Sequence, residues 1–165
     1  MSLTKMVEKL GCFVELLIRC HPRGFSILLG DDPPPDSRVV HEMLSSLRVP
    51  MPSDFKPSVR SNFTEAEQIV SDSDYFDSLV SLAGGWKHIN EVSREFREVS
   101  PRYWAIVIDH VKFVSVKTER YMSKLGYVAD KHKVAPNTVM KYRREFPVRL
   151  ATMLLMPQIS IDFGV

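Results

Sequence analysis

The chain has 165 residues, of which 44% are apolar, and its formal net charge at pH 7 is +2. This length and composition predict one globular domain, or one domain with a small appendage, built around a hydrophobic core. No run of about 18 apolar residues occurs, and the first residues lack the basic and apolar regions of a secretory signal. We therefore expect a cytoplasmic protein that does not enter a membrane.

The first segment is predicted to be a helix. Residues 4–20 carry apolar positions spaced for an amphipathic to mostly buried helix, which His21 and Pro22 would end. Cys12 and Cys20 would lie about 12 Å apart along this helix, which is too far for a disulfide. We expect reduced thiols and no metal site, because the cysteines and His21 lack the paired spacing of metal ligands.

The positions of the prolines and of a capping serine predict a loop, a short helix and a linker within residues 25–60. Residues 25–29 are an apolar run too short to assign to a helix or a strand, and residues 30–36 contain three consecutive prolines that predict a loop. Ser37 is predicted to cap a short helix with one apolar side. Residues 49–60 contain three further prolines and are predicted to be an extended linker.

Three more helices are expected between residues 64 and 116. The first begins at the cap Thr64, has acidic residues in its first turn, and has a potential break near Asp72. A Gly-Gly turn separates it from a helix over residues 86–99, in which apolar residues recur at intervals of three and four. A Ser-Pro pair then begins a helix that reaches about residue 116. Convincing two-residue alternation does not occur, so we predict an all-α fold.

A helix, a tight turn and a second helix are predicted between residues 125 and 146. Pro136 would lie in the first turn of the second helix, where the amide that proline lacks would have no partner. This arrangement is typical of the helix-turn-helix proteins that bind DNA. The apolar residues expected between the two helices are Val128, Ala129, Val134, Val139 and Tyr142.

Basic residues are concentrated around this helix pair. Residues 112–149 contain ten Lys or Arg and three acidic residues, a net charge of +7, and the rest of the chain therefore carries −5. A basic segment that coincides with such a motif is expected where a protein binds the phosphate backbone. Asn, Thr, Lys and Arg are also the residue types that pair with base edges and phosphates. The residues predicted to contact double-stranded DNA are Lys117, Arg120, Lys124, Lys131, Lys133, Asn137, Thr138, Met140, Lys141, Arg143 and Arg144.

The same residues resemble the helix-turn-helix of sigma-factor region 4, whose usual pattern is roughly E-I-A-E-x-L-G-I-S-x-x-T-V-x-x-R/Y. Val-Ala-Asp at 128–130 stands at the I-A-E positions, Val-Ala at 134–135 at I-S, and Thr-Val at 138–139 at T-V. The resemblance covers about 25 to 30 residues and implies binding of duplex DNA through the second helix.

The chain departs from that pattern in the turn. His132 occupies a position that is usually apolar. Lys133 replaces the usual glycine, and a non-glycine residue there is strained if its φ is positive. Ala135 replaces the usual serine cap, so Asn137 could cap the second helix instead.

Pro147 is predicted to interrupt the second helix. A last apolar helix is expected over residues 148–156, and the apolar tail at 157–165 could be extended. The order of a helix beginning Ser-Pro-Arg-Tyr, the helix pair and a terminal L-A-x-x-L helix resembles small phage-encoded transcription regulators. These include the Q-type late-gene antitermination proteins and related late activators. The resemblance implies a protein of the host bacterial cytoplasm that binds DNA near a late promoter and engages bacterial RNA polymerase.

Three regions follow from this interpretation. Residues 1–99 would be a helical region for interaction or assembly, residues 100–157 the DNA-binding region, and residues 158–165 a C-terminal tail. The acidic N-terminal region would face the polymerase or a second copy of the chain. Whether the protein activates initiation or prevents termination stays open at this point.

Other classes of function are less consistent with the same sequence. Gly-rich phosphate loops and the G-x-S-x-G, H-E-x-x-H and C-x-x-C motifs are lacking, so no enzyme activity, cofactor or metal is expected. The acidic cluster at 31–36 is interpreted as solvated, and the cluster at 72–77 lacks the glycine and the glutamate that a calcium-binding loop requires. A protein-interaction adaptor is one alternative, because residues 158–163 loosely resemble peptides that dock on bacterial sliding clamps. A DNA-packaging protein similar to the small terminase subunit is another.

Overall fold

The computed structural model describes residues 1–46, 64–112 and 123–162. Within these ranges the chain forms helices and no strand, which confirms the predicted all-α fold. The predicted linker at 49–60 and residues 113–116 of the third expected helix lie outside the described residues. None of the helices in the described part is both long and apolar enough to cross a membrane. The helices are α1 (Leu3–Cys20), α2 (Gly24–Leu29), α3 (Ser37–Ser45), α4 (Glu65–Leu82), α5 (Trp86–Val99), α6 (Pro101–Lys112), α7 (Lys124–His132) and α8 (Pro136–Asp162).

Side-chain caps set the beginnings of α3 and α4. The hydroxyl of Thr64 accepts a hydrogen bond from the backbone N–H of Glu67 at 3.2 Å, so the predicted cap of α4 is confirmed. In α3 the carboxylate of Asp36 accepts from the N–H of Val39 at 2.9 Å. Asp36 is therefore the cap, and the prediction that Ser37 caps this helix is wrong. Ser37 is instead the first helical residue, one position too late to reach the same N–H.

The helix α4 continues through Asp72, so the potential break there does not occur. The Asp72 side chain is buried, and its two oxygens accept hydrogen bonds from the amide of Gln68 at 2.9 Å and from Nδ1 of His41 at 2.7 Å. A buried carboxylate is tolerated when it is bonded in this way. Because His41 belongs to α3, the same contact fixes α3 against α4.

The apolar run that the sequence left unassigned is the short helix α2. Its last carbonyls are satisfied from α5: Nδ2 of Asn90 donates to the carbonyls of Ile27 and Leu28 at 3.0 and 2.9 Å. Nε of Arg94 donates to the carbonyl of Leu29 at 2.7 Å. For Leu28 and Leu29 these bonds supply partners for carbonyls that a helix end otherwise leaves without any, whereas the carbonyl of Ile27 also accepts the N–H of Gly30 at 3.1 Å. The C-terminal end of α2 therefore depends on residues more than sixty positions away.

The main core lies where α8 packs against α1, α5 and α6. Phe146 of α8 is fully buried, and its ring centre is 5.9 Å from that of Phe25, 5.4 Å from Phe96 and 5.4 Å from Trp104. Such tilted and edge-on contacts add to the free energy of burying the rings. Residues on both sides of position 99 thus contribute to one core.

A single helix extends from Pro136 to Asp162, and the predicted interruption at Pro147 is wrong. Pro147 is buried, and its neighbours Phe146 and Leu150 are fully buried as well. A Cβ built on Gly11 of α1 would lie 3.9 Å from the carbonyl carbon of Pro147, so the two backbones approach closely there. Packing on both sides of the proline offsets the loss of one backbone hydrogen bond. The tail is likewise helical as far as Asp162 rather than extended, and residues 163–165 lie outside the described range.

Candidate nucleic-acid interface

The turn between α7 and α8 has the geometry of a left-handed helix cap. Lys133 has φ 56° and ψ 44°, the one positive φ at a non-glycine residue in the described ranges. The N–H of Val134 donates to the carbonyl of Ala129 at 3.0 Å, and the N–H of Lys133 donates to that of Asp130 at 3.2 Å. This pair of bonds is the Schellman motif. Lys133 therefore has the positive φ at which a residue with a Cβ is strained.

Pro136 is the first residue of α8, as the sequence predicts. The carbonyl of Ala135 accepts the N–H groups of Thr138 at 2.9 Å and Val139 at 3.4 Å. Asn137 is consequently the second residue of the helix and does not cap it, so the capping role considered for Asn137 is wrong. Its side chain is exposed instead.

A small second core holds α7 and the first turns of α8 against α6. Four of its residues are buried, and the contribution of Ile106 makes α6 the third helix of this unit. The expected positions of Val128, Ala129 and Val139 between the helices are confirmed. Tyr142 contacts both cores, and its ring stacks on that of Tyr103 with centres 4.2 Å apart. The residues of this core are Ile106, Val128, Ala129 and Val139, with Leu125, Tyr127, Val134 and Tyr142 packed around them.

Polar contacts from α6 fix the end of α7. Asp109 accepts from Nε2 of His132 at 2.6 Å and from Nζ of Lys131 at 3.0 Å, and Arg102 donates to the carbonyl of His132 at 2.6 Å. Burial raises the pKa of the Asp109 carboxyl, but the hydrogen bonds from Lys131 and His132 outweigh it and hold that pKa below its ordinary value. The departure of His132 from the apolar pattern thus has a structural reason, because its ring bonds a carboxylate.

One face of α8 presents polar and basic side chains to solvent. Asn137, Lys141 and Arg144 are exposed, Met140 is 45% exposed, and Thr138 is partly buried. Neither Lys141 nor Arg144 forms an ion pair with another described residue. Their donors are therefore available to a ligand.

The other predicted contact residues lie in different surroundings. The Lys133 side chain is 83% exposed and sits 3.8 Å from Asp130. Lys131 is held by Asp109, and its hydrogen bond to that carboxylate raises the pKa of its ammonium group. Lys124 is partly buried at the start of α7. Lys117 and Arg120 lie outside the described residues.

Of the described residues predicted to contact DNA, Arg143 lies in the surroundings that differ most from that prediction. It donates two hydrogen bonds to the Glu15 carboxylate, at 2.9 and 2.6 Å, and both side chains are mostly buried. This bidentate pair anchors α8 to α1. Contact of Arg143 with DNA remains a prediction, and the structure adds the anchoring role. The contributions of Glu15, Asp109 and Arg102 could not be predicted from the sequence, since no local pattern connects these residues with the helix pair.

The acidic clusters have structural roles in part. Asp32 pairs with Arg23 at 3.0 Å, Asp36 caps α3, and Asp72 is buried against His41. Across the described ranges no three His, Cys, Asp or Glu residues come together as metal ligands would. Cys12 and Cys20 both lie on α1, and no disulfide joins them.

The fold and this surface define an all-α protein with a helix pair that exposes a basic, polar helix face. Comparison of the chain with protein-family models, curated proteins and solved structures finds no match.

Proposed function

We propose that the chain is a sequence-specific double-stranded DNA-binding protein that regulates transcription. The observation that carries this proposal is the exposed face of α8, where Asn137, Lys141 and Arg144 have no ion-pair or hydrogen-bond partner among the described residues, on a helix that begins directly after the hydrogen-bonded turn at Lys133. Side chains of these types, projecting from the start of a helix that follows a tight turn, suit entry into the major groove.

Each side chain on this face has a chemical role in the proposal. Arg144 and Lys141 can donate to the acceptors of guanine or to phosphates, and the amide of Asn137 can pair with adenine. Met140 offers an apolar contact for a thymine methyl group. Lys133, almost fully exposed beside the turn, suits a backbone phosphate. The hydrogen bonds of the turn and the contacts from α6 would hold this helix in one orientation and so limit the entropy lost on binding.

For regulation, the proposal is that the protein is a phage late-gene antiterminator or activator that acts on bacterial RNA polymerase. It is supported by the resemblance of the helix pair to sigma-factor region 4 and by the charge distribution. Residues 112–149 carry +7, and the remaining −5 is poorly suited to lie on DNA but can face a protein partner or a second copy of the chain.

DNA binding is tested by selecting duplexes from a random library with the full chain and measuring affinity by fluorescence anisotropy. Lys141→Ala and Arg144→Ala should each weaken the selected complex by about 1–3 kcal/mol if the side chain contacts a base. The matched controls are Lys87→Ala and Arg97→Ala, two exposed cations of α5, which should leave the affinity unchanged. Failure to enrich any sequence, or equal losses in the controls, would refute the proposal.

The regulatory role is tested separately by transcription from a template that carries the selected site upstream of a terminator. The expected result is a change in initiation, pausing or read-through that requires the site. Tight and specific DNA binding with no effect on transcription would favour the alternative, a packaging protein similar to a small terminase subunit. Absence of DNA binding together with capture of the sliding clamp would favour the adaptor.

A further inference from the structure

A second basic surface lies beside the exposed face of α8. It is an open groove of about 990 Å³ between α1, the start of α2, the end of α6, the start of α7 and the first turns of α8. Five cationic side chains and one carboxylate, that of Glu15, are among the described residues that line it. We call this surface the basic groove, and its cations are Arg19, Lys112, Lys124, Arg143 and Arg144.

The one carboxylate in this lining is already engaged. Its two oxygens accept from Arg143 at 2.6 and 2.9 Å, and Arg19 lies 3.6 Å away. Glu15 therefore compensates Arg143 and holds its guanidinium in place. Lys112 and Lys124 have no acidic partner among the described residues, so the groove retains an excess of positive charge.

The cations are close enough to affect one another. Burial lowers the pKa of Lys124, and the charges of Arg143 and Arg19 lower it further. His110 lines the same groove, and its Nδ1 is buried without a hydrogen-bond partner in the described structure. Burial, and then Lys124 and Arg143, lower the pKa of His110 to about 4, so at neutral pH its ring is uncharged and retains an N–H donor. Repulsion of this kind is relieved when an anion binds.

We propose that the basic groove binds a phosphate group, supplied either by a DNA strand continuing from α8 or by a free phosphate-bearing molecule. Guanidinium and ammonium groups gathered around one space are the donors from which phosphate oxygens accept the strongest hydrogen bonds. Arg144 faces both the groove and the exposed side of α8, which makes a continuous path for a DNA backbone. Where DNA is the source, this inference rests on the proposed function.

The test measures binding of inorganic pyrophosphate to the full chain by isothermal titration calorimetry. The variant Arg19→Gln/Lys112→Gln removes two groove cations that lie outside the predicted DNA-contact residues. The matched control Lys87→Gln/Arg97→Gln removes two exposed cations of α5. We expect about tenfold weaker binding in the groove variant, since two of the five attractive charges are lost, and unchanged binding in the control. Circular dichroism checks that both variants are folded.

A parallel titration of duplex DNA distinguishes the two sources. If the groove variant also weakens DNA binding and lowers the slope of log affinity against log salt by about 1 to 2, the phosphate belongs to the DNA backbone. If DNA binding is unchanged while pyrophosphate binding falls, a free phosphate-bearing molecule is the ligand. Undetectable pyrophosphate binding at millimolar concentration, or equal losses in the control, overturns the inference. Wild-type protein that binds pyrophosphate in the groove but no duplex DNA refutes the proposed function and leaves the groove site intact.

Discussion

Replacing Lys133 by glycine should stabilise the protein, because this lysine holds a left-handed conformation with φ 56° and ψ 44°. That conformation costs a residue with a Cβ about 1–2 kcal/mol. Glycine removes this strain, but its greater conformational freedom in the unfolded chain offsets about 0.5–1 kcal/mol of the gain in stability. The lysine side chain is 83% exposed and its ion pair spans 3.8 Å, so its loss removes little. The expected net gain is therefore about 0.5–1 kcal/mol.

Thermal and urea unfolding followed by circular dichroism would measure this gain, which corresponds to a rise of about 1–4 °C in Tm for a chain of this size. Lys141→Gly is the matched control, because Lys141 is an exposed lysine within α8. There the same substitution should destabilise by roughly 0.5–1 kcal/mol, since glycine is the poorer helix former. Opposite signs for the two variants are expected. A loss of stability in Lys133→Gly similar to that in Lys141→Gly would show that the turn does not require the left-handed conformation.

Three further predictions concern packing elsewhere in the protein. Arg143→Ala should lower the free energy of unfolding, measured by urea titration, by about 2–3 kcal/mol, because it leaves the mostly buried carboxylate of Glu15 without its bidentate partner. A loss below about 0.5 kcal/mol would contradict the anchoring role of Arg143. Burial, with the nearby cations, depresses the pKa of His110 to about 4 in the folded state, so its contribution to stability is present above the unfolded pKa of about 6.5 and is lost as the pH falls toward 4. His110→Gln should reduce that pH dependence, and an NMR titration of the ring with a midpoint near 6.5 would contradict the assignment. Gly24→Ala should destabilise strongly, since a Cβ there would lie 2.1 Å from the carbonyl oxygen of Leu17, and an unchanged Tm would show that the close approach is absent.

Local signals in the sequence were sufficient where the cause of the structure is itself local. The cap at Thr64 needs only an N–H three residues away, and the helix over residues 86–99 follows from apolar residues at intervals of three and four. The same reason predicts the helix pair and the start of α8 at Pro136. The sign of φ at Lys133, which the sequence leaves open, is positive in the structure. The exposed polar face of α8 followed from that helix by its periodicity.

Packing between residues far apart in the sequence accounts for the features that local patterns did not predict. Pro147 is a strong local signal to end a helix, yet α8 continues because Phe146 and Leu150 are buried in a core built from distant helices. Arg143 carries a positive charge like Lys141, but a carboxylate 128 residues earlier in the chain binds it and turns it into an anchor. A pattern of nearby residues contains no information on which distant acid will arrive beside a given cation. The availability of each basic side chain, and with it the shape of the basic groove, therefore depends on how α1 and α6 pack around α7 and α8.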